Sequence, residues 1–260
     1  MDSKLTVFVI SLKRSPERRE SVKKHLDGIG LEFEFFDAVY GKELSEEQLD
    51  TLCDRQAIKN SPNWLTPSAI GCSLSHYGVY QEVISRNLPY ALVLEDDILF
   101  NKDFVSCLDN TAEQLKQNEI MLLYYQSWEA LKLKKDSKKQ LCKNYVTYTP
   151  TDMYQPICAA AYLITNAACR TLSKAIMPVH LCADTWGKFA DLNGFENFSC
   201  VYPRAVDTTD AKSTIDYIGN SRIAGIMRWV DNNKIFPLYQ LLKMKRNRNR
   251  QGMMKVQFVS

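Results

Sequence analysis

Tyr90 to Leu94 (YALVL) is a continuous apolar run of strand length that stops abruptly at three adjacent acids, Glu95-Asp96-Asp97. A half-buried strand would alternate apolar with polar residues, so an unbroken run of this length reads as a strand covered on both faces. Such a strand needs helices above and below it, which points the chain toward layered α/β arrangements. Leu5 to Leu12 (LTVFVISL) and Ile120 to Tyr125 read the same way, and helical signals stand between these runs. Ser15-Pro16 offers a cap with proline at the first helical position. Val22, Leu26 and Ile29 then form one apolar stripe, and Gly28 and Gly30 can end the helix. Glu32 to Asp37 fits a second strand. Ser45 with Gln48 forms a capping box ahead of Leu49 and Leu52, and Thr66-Pro67 opens a helix running through His76 toward Ile84. Tyr145 to Tyr148 suggests a short edge strand, whereas lysine-rich Lys132 to Lys143 reads as a mobile loop. Asn166 and Asp184 are expected to cap helices. The expectation is an α/β domain over residues 1–215 with a mostly parallel central sheet, then a helical, basic C-terminal appendage over 216–260.

A chain of 260 residues can bury a full core. No apolar run approaches the roughly 20 residues that span a bilayer. Leu5 to Leu12 lacks a signal-peptide cleavage site and runs straight into charge, so a cytoplasmic location is expected. None of the eight cysteines forms a Cys-x-x-Cys pair, which argues against a structural zinc motif. Free thiols are expected rather than disulfides. The net charge of +3 conceals an uneven distribution: Lys243, Lys245, Arg246, Arg248 and Arg250 form a basic cluster, without which the chain is slightly acidic. Ile223, Met227, Trp229, Phe236, Leu238, Tyr239, Leu241 and Leu242 lead into that cluster. Apolar residues beside Lys and Arg suit an anionic membrane surface; a helix packed on the core with a solvated basic end fits the same residues. No nucleic-acid-binding module accompanies the cluster, so no nucleic-acid partner is expected.

In open α/β sheets ligands bind beyond the carboxyl ends of the strands, which is where Glu95-Asp96-Asp97 falls. Adjacent carboxylates repel one another, and their hard oxygens suit Mg²⁺ or Mn²⁺ held together with substrate phosphates. On pattern alone, acids capping a turn and facing water fit equally well. Arg14 lies in a strand-to-helix loop, where a cation and a helix N-terminus can meet a phosphate. Arg18 and Arg19 read as solvated or paired with nearby acids. His76 is either a contact for an acceptor or phosphate, or a hydrogen-bonded histidine within its helix.

Several segments resemble glycosyltransferase family 25. They are Val9-Ile10-Ser11-Leu12 with Arg14, Arg18 and Arg19; Phe36-Asp37-Ala38-Val39-Tyr40-Gly41; Gly71-Cys72-Ser73-Leu74-Ser75-His76; and Ala91 to Asp97, with a weaker match through Ala161 to Ile164 and Asp184. Ala159 or Ala160 stands near where the family often has glycine. The resemblance implies a GT-A-like nucleotide-binding domain that transfers a hexose from a UDP-sugar, UDP-galactose being the favoured donor, onto a lipooligosaccharide-type, lipid-linked saccharide. It places Ile10, Ser11, Leu12 and Arg14 at the nucleotide, and Asp37, Ala38 and Tyr40 near the base or ribose. Glu95, Asp96 and Asp97 become the acidic metal motif, with Asp97 and Glu95 as ligands of Mn²⁺ or Mg²⁺ and Asp96 toward the ribose or sugar. An inverting transfer then needs one base, for which Asp184 is the candidate, beside Trp186 as a sugar-stacking aromatic. Work at the inner face of the bacterial inner membrane would follow. A nucleotidyltransferase using the same acids, and a non-catalytic saccharide- or membrane-binding module, are the competing readings.

Overall fold

The computed structural model describes residues 5–209, 230 and 233–260. The boundary expected between residues 215 and 216, and the expectations attached to Ile223, Met227 and Trp229, lie outside these residues. In chain order the elements are β1 (Thr6–Ser11), α1 (Pro16–Ile29), β2 (Glu34–Asp37), α2 (Glu46–Leu52), α3 (Arg55–Asn60), α4 (Pro67–Ser85), β3 (Tyr90–Glu95) and β4 (Ile98–Phe100). There follow α5 (Lys102–Val105), α6 (Leu108–Glu113), β5 (Glu119–Leu122), β6 (Leu131–Lys134), β7 (Lys139–Cys142) and β8 (Tyr145–Tyr148). The chain continues through β9 (Ala161–Thr165), α7 (Asn166–Ile176), α8 (Trp186–Asp191), β10 (Asn197–Tyr202) and β11 (Val206–Thr208). Beyond the undescribed stretch come α9 (Leu238–Met253) and β12 (Val256–Val259).

Eight strands form the central sheet in the order β2-β1-β3-β9-β5-β10-β8-β7. β1 pairs in parallel with β2 and β3, and β5 with β10. β9 runs antiparallel between β3 and β5, and β8 antiparallel to both β10 and β7. The sheet is therefore mixed, which corrects the mostly parallel expectation. A strand buried on both faces carries the same apolar signature in either direction, so composition cannot reveal that β9 is reversed. Alternation along the central strands feeds two cores. Phe8, Ile10, Ala91 and Val93 face one, while Val7, Val9, Leu92 and Leu94 face the other, and all eight are buried. Apart from Ala91, fully burying side chains of this size contributes about 1.5–3 kcal/mol each before chain entropy is counted.

Helix starts follow local chemistry. Ser45 and Gln48 form the expected capping box, and Thr66 accepts from Ala69 N with Pro67 at the first helical turn. Gly30 closes α1 at φ +74°, a left-handed conformation that glycine adopts without steric cost. Two caps sit one residue from expectation: Thr165 rather than Asn166 caps α7, and Thr185 rather than Asp184 occupies the cap position of α8. Asn166 is occupied elsewhere, donating to the carbonyls of Val83 and Leu88.

Three further expectations are corrected. Lys132 to Lys143 is not a loop: β6 reaches into it with Leu133 buried between exposed Lys132 and Lys134, and β7 lies within it with Leu141 buried. Cys107 and Cys142 form a disulfide with Cα atoms 6.2 Å apart, so the free-thiol expectation fails for this pair. The C-terminal region is not purely helical either, because β12 pairs in parallel with β6 and Phe258 packs on Tyr148 and Tyr202.

Candidate active site

Register brings the carboxyl ends of three parallel strands together. Ser11 lies opposite Asp37, and Ile10 opposite Glu95. Beyond these ends opens a cleft of about 100 Å³, lined among others by Ile10, Ser11, Leu12, Ala38, Tyr40, Glu95, Asp96 and Asp97. These eight residues are all among those expected from the sequence. α4 supplies the opposite wall, and two glycines let it approach. A Cβ on Gly41 would lie 1.8 Å from Pro67 O, and one on Gly71 would lie 2.6 Å from both Gly41 N and Val39 O. Val39 N donates to Ser75 Oγ at 2.9 Å, which pins the loop after β2 to this helix.

The three acids have different surroundings. Asp96 is satisfied: Ser11 Oγ donates to Oδ2 at 2.6 Å, and Arg18 Nε donates to Oδ1 at 2.7 Å. Asp97 has Arg18 Nη2 3.4 Å from Oδ2, while its buried Oδ1 has no hydrogen-bond partner among the described residues. Burial pushes the Asp97 carboxyl up to about 6, with Glu95 reinforcing the shift and Arg18 opposing it. Its backbone carbonyl accepts from Thr209 N at 2.7 Å, which ties the acidic turn to the end of β11. Glu95 is partly exposed, with Oε1 3.6 Å from Nε2 of His76.

The two remaining nucleotide-side expectations lie beside the cleft. Arg14 is exposed, stacks over the Tyr40 ring at 4.2 Å and pairs with Glu43 at 3.2 Å. Arg18 is instead the cation within the cleft. Its position in the first turn of α1 brings it to the end of β3, a juxtaposition that sequence distance conceals. Asp37 is half exposed on the rim, where Lys13 and then Arg19 hold its carboxyl below the usual range. Arg19 also donates to Ser11 O, bridging the ends of β1 and β2.

Asp184 is not among the residues that line the cleft; it accepts from Cys158 N at 3.3 Å rather than capping α8. Burial raises its pKa, and the negative charge of Glu95 adds to the rise. Trp186 is not available to stack on a sugar: it is fully buried in the core and donates to Cys158 O. His76 is also fully buried and lines the inner end of the cleft together with Cys72. Asp207 on β11 pairs with Arg250 of α9, so one residue of the basic cluster is engaged with the body.

The model of glycosyltransferase family 25 (LPS biosynthesis protein) matches residues 4–186. A glycosyltransferase 25 family member of Drosophila melanogaster is 41% identical over 106 residues, covering 38% of this chain and 17% of the relative. Procollagen galactosyltransferase 1-A of Xenopus laevis is 36% identical over 118 residues, covering 42% of this chain and 19% of the relative. A Bos taurus relative named probable inactive glycosyltransferase 25 family member 3 is 35% identical over 118 residues, covering 44% and 20%. The matched stretch thus spans at most about a fifth of the length of these relatives.

Proposed function

We propose, from the premise that this chain belongs to glycosyltransferase family 25, that its cleft carries out inverting, metal-dependent transfer of a hexose from a UDP-sugar to a saccharide hydroxyl. The domain is read as GT-A-like, with UDP-galactose as the favoured donor, in keeping with the galactosyltransferase among its relatives. The observation that carries this reading is the buried, unpartnered Oδ1 of Asp97 at the carboxyl ends of the parallel strands, beside an Asp96 whose oxygens are already engaged. An orphaned carboxylate oxygen fits a hard cation, so Asp97, with Glu95 beside it, would hold Mn²⁺ or Mg²⁺. When bound, that cation supplies charge neutralisation for the departing diphosphate.

The chain's own residues do the rest. Arg18 fixes Asp96 and places positive charge at the mouth of the site. Ile10, Ser11, Leu12, Ala38 and Tyr40 form the nucleotide wall. Asp184 accepts the acceptor hydroxyl's proton as the new oxygen–carbon bond forms, while the bond from the sugar to UDP breaks with its electron pair leaving on the phosphate. Its raised pKa makes it a stronger base than an exposed aspartate. The acceptor is read as a lipid-linked saccharide of the lipooligosaccharide type, worked on at the cytoplasmic face of a membrane. Exposed Phe236, Leu238, Leu241 and Met244 beside the basic cluster support docking to an anionic lipid surface.

The test is UDP release from UDP-galactose with Mn²⁺ and a soluble core saccharide. Asp184→Asn is expected to lose at least about a hundredfold in turnover while donor affinity stays within a few-fold. Donor affinity collapsing together with turnover would refute the base assignment. Transfer to a procollagen peptide but not to the saccharide would overturn the acceptor reading.

A further inference from the structure

Cys72 and His76 stand one turn apart on α4, and Glu95 closes β3, so packing of helix on sheet brings a thiol, an imidazole and a carboxylate together. Their ligand atoms all lie within 4.8 Å of one another. Nδ1 of His76 is 2.7 Å from Tyr162 Oη, and the Tyr162 hydroxyl donates in turn to Tyr80 Oη at 3.1 Å. Nδ1 of His76 thus has a hydroxyl partner in either tautomer, which leaves Nε2 as the ring nitrogen that faces Glu95. That Nε2 is buried, has no hydrogen-bond partner among the described residues, and faces Glu95 Oε1 at 3.6 Å. A cation taking the Nε2 lone pair and the Glu95 oxygen would satisfy the buried ring nitrogen, with Nδ1–H then donating to Tyr162.

We propose that Cys72 Sγ, His76 Nε2 and Glu95 Oε1 form a second cation site, for a borderline transition-metal ion of the Zn²⁺ class, at the inner end of the cleft. Sulfur and imidazole ligands exclude Mg²⁺ and Ca²⁺ as preferred occupants, and one S, one N and one O match the donors zinc takes. Three protein ligands leave a fourth position open toward the cleft, as in catalytic rather than structural zinc sites. Tyr162 orients the imidazole through Nδ1, as outer-shell partners of metal-bound histidines do. Metal uptake breaks the Cys72 S–H bond as the S–metal bond forms, and the proton leaves to solvent. Glu95 commits Oε1 here, which leaves Oε2 for another partner. The site does not depend on the identity of the donor or on the base role of Asp184.

The full chain, stripped with chelator and titrated with Co²⁺, is expected to bind one equivalent with a near-ultraviolet thiolate-to-cobalt charge-transfer band. Cys72→Ser should abolish the band. Tyr162→Phe should weaken Co²⁺ binding by about 10–100-fold, and Asp97→Asn should leave the band in place while removing Mn²⁺-dependent UDP binding. X-ray absorption of the Zn²⁺-loaded wild-type protein needs no variant and should show one sulfur among the zinc ligands. Binding without a thiolate band, a band that survives Cys72→Ser, a zinc shell of nitrogen and oxygen alone, or no binding would each overturn the proposal. If UDP binding fails while the cobalt band appears, it is the transferase reading that falls and the cation site that stands.

Discussion

Asp96 and Asp97 are neighbours in the chain with opposite environments. Asp96 has a donor on each oxygen, whereas Asp97 keeps a buried oxygen unpaired beside Glu95 and is stabilised only in part by Arg18. A carboxyl raised to about 6 from 3.8 destabilises the folded state once ionised. The penalty is absent below the unfolded value and fully present above about 6. Asp97→Asn should therefore stabilise the metal-free protein by about 1–3 kcal/mol at pH 7.5 and have little effect near pH 4. Chemical denaturation at both pH values checks this, and equal effects at the two would contradict it. Arg18→Gln leaves Asp96 with one donor and should cost about 1–3 kcal/mol of stability while weakening nucleotide binding. A thermal melt read alongside a UDP titration would show both losses, and loss of neither would remove Arg18 from the site.

Between elements, the decisive contact is α4 against the loop after β2. Gly71→Ala would push a methyl to 2.6 Å from two backbone atoms of that loop. The expected cost is about 1–3 kcal/mol or more, with UDP affinity reduced because Ala38 and Tyr40 move with the loop. Near-normal stability and affinity in this variant would mean that the close approach does not shape the nucleotide wall. Much at this scale was legible in the sequence. Ser45, Gln48, Thr66 and Pro67 announce their helix starts through chemistry local to a few residues, and the acids after YALVL are placed by strand polarity. What stayed hidden depended on pairing. Arg18 meets Asp96 across 78 residues, β9 shows its reversed direction only through its neighbours, and β6 and β7 look like a lysine-rich loop until their alternate leucines find a core. Cys72 and His76 carried a signal, the four-residue spacing of one helix face, but its meaning required Glu95 from another element.

On the scale of the whole molecule, the C-terminal segment is both surface and strut. α9 exposes apolar residues and basic side chains, yet Arg250 donates to Thr208 O, Arg204 donates to Met254 O, and β12 is paired with β6. Deleting residues 243–260 would therefore remove structural contacts along with charge. Replacing Lys245 and Arg248 with Gln is the cleaner change. It should reduce binding to anionic vesicles by on the order of 1 kcal/mol per charge and leave transfer to a soluble acceptor intact. Vesicle sedimentation unchanged by the double substitution would contradict docking through this helix. The central claim is that the acidic turn holds a metal which in turn holds a nucleoside diphosphate. Its most direct test is calorimetric titration of UDP into the wild-type chain and Asp97→Asn, each with and without Mn²⁺. The account predicts Mn²⁺-dependent binding of UDP to the wild type and at least a tenfold loss, about 1.4 kcal/mol, in the variant. Equal binding by both proteins, or binding of ATP in place of UDP, would contradict it.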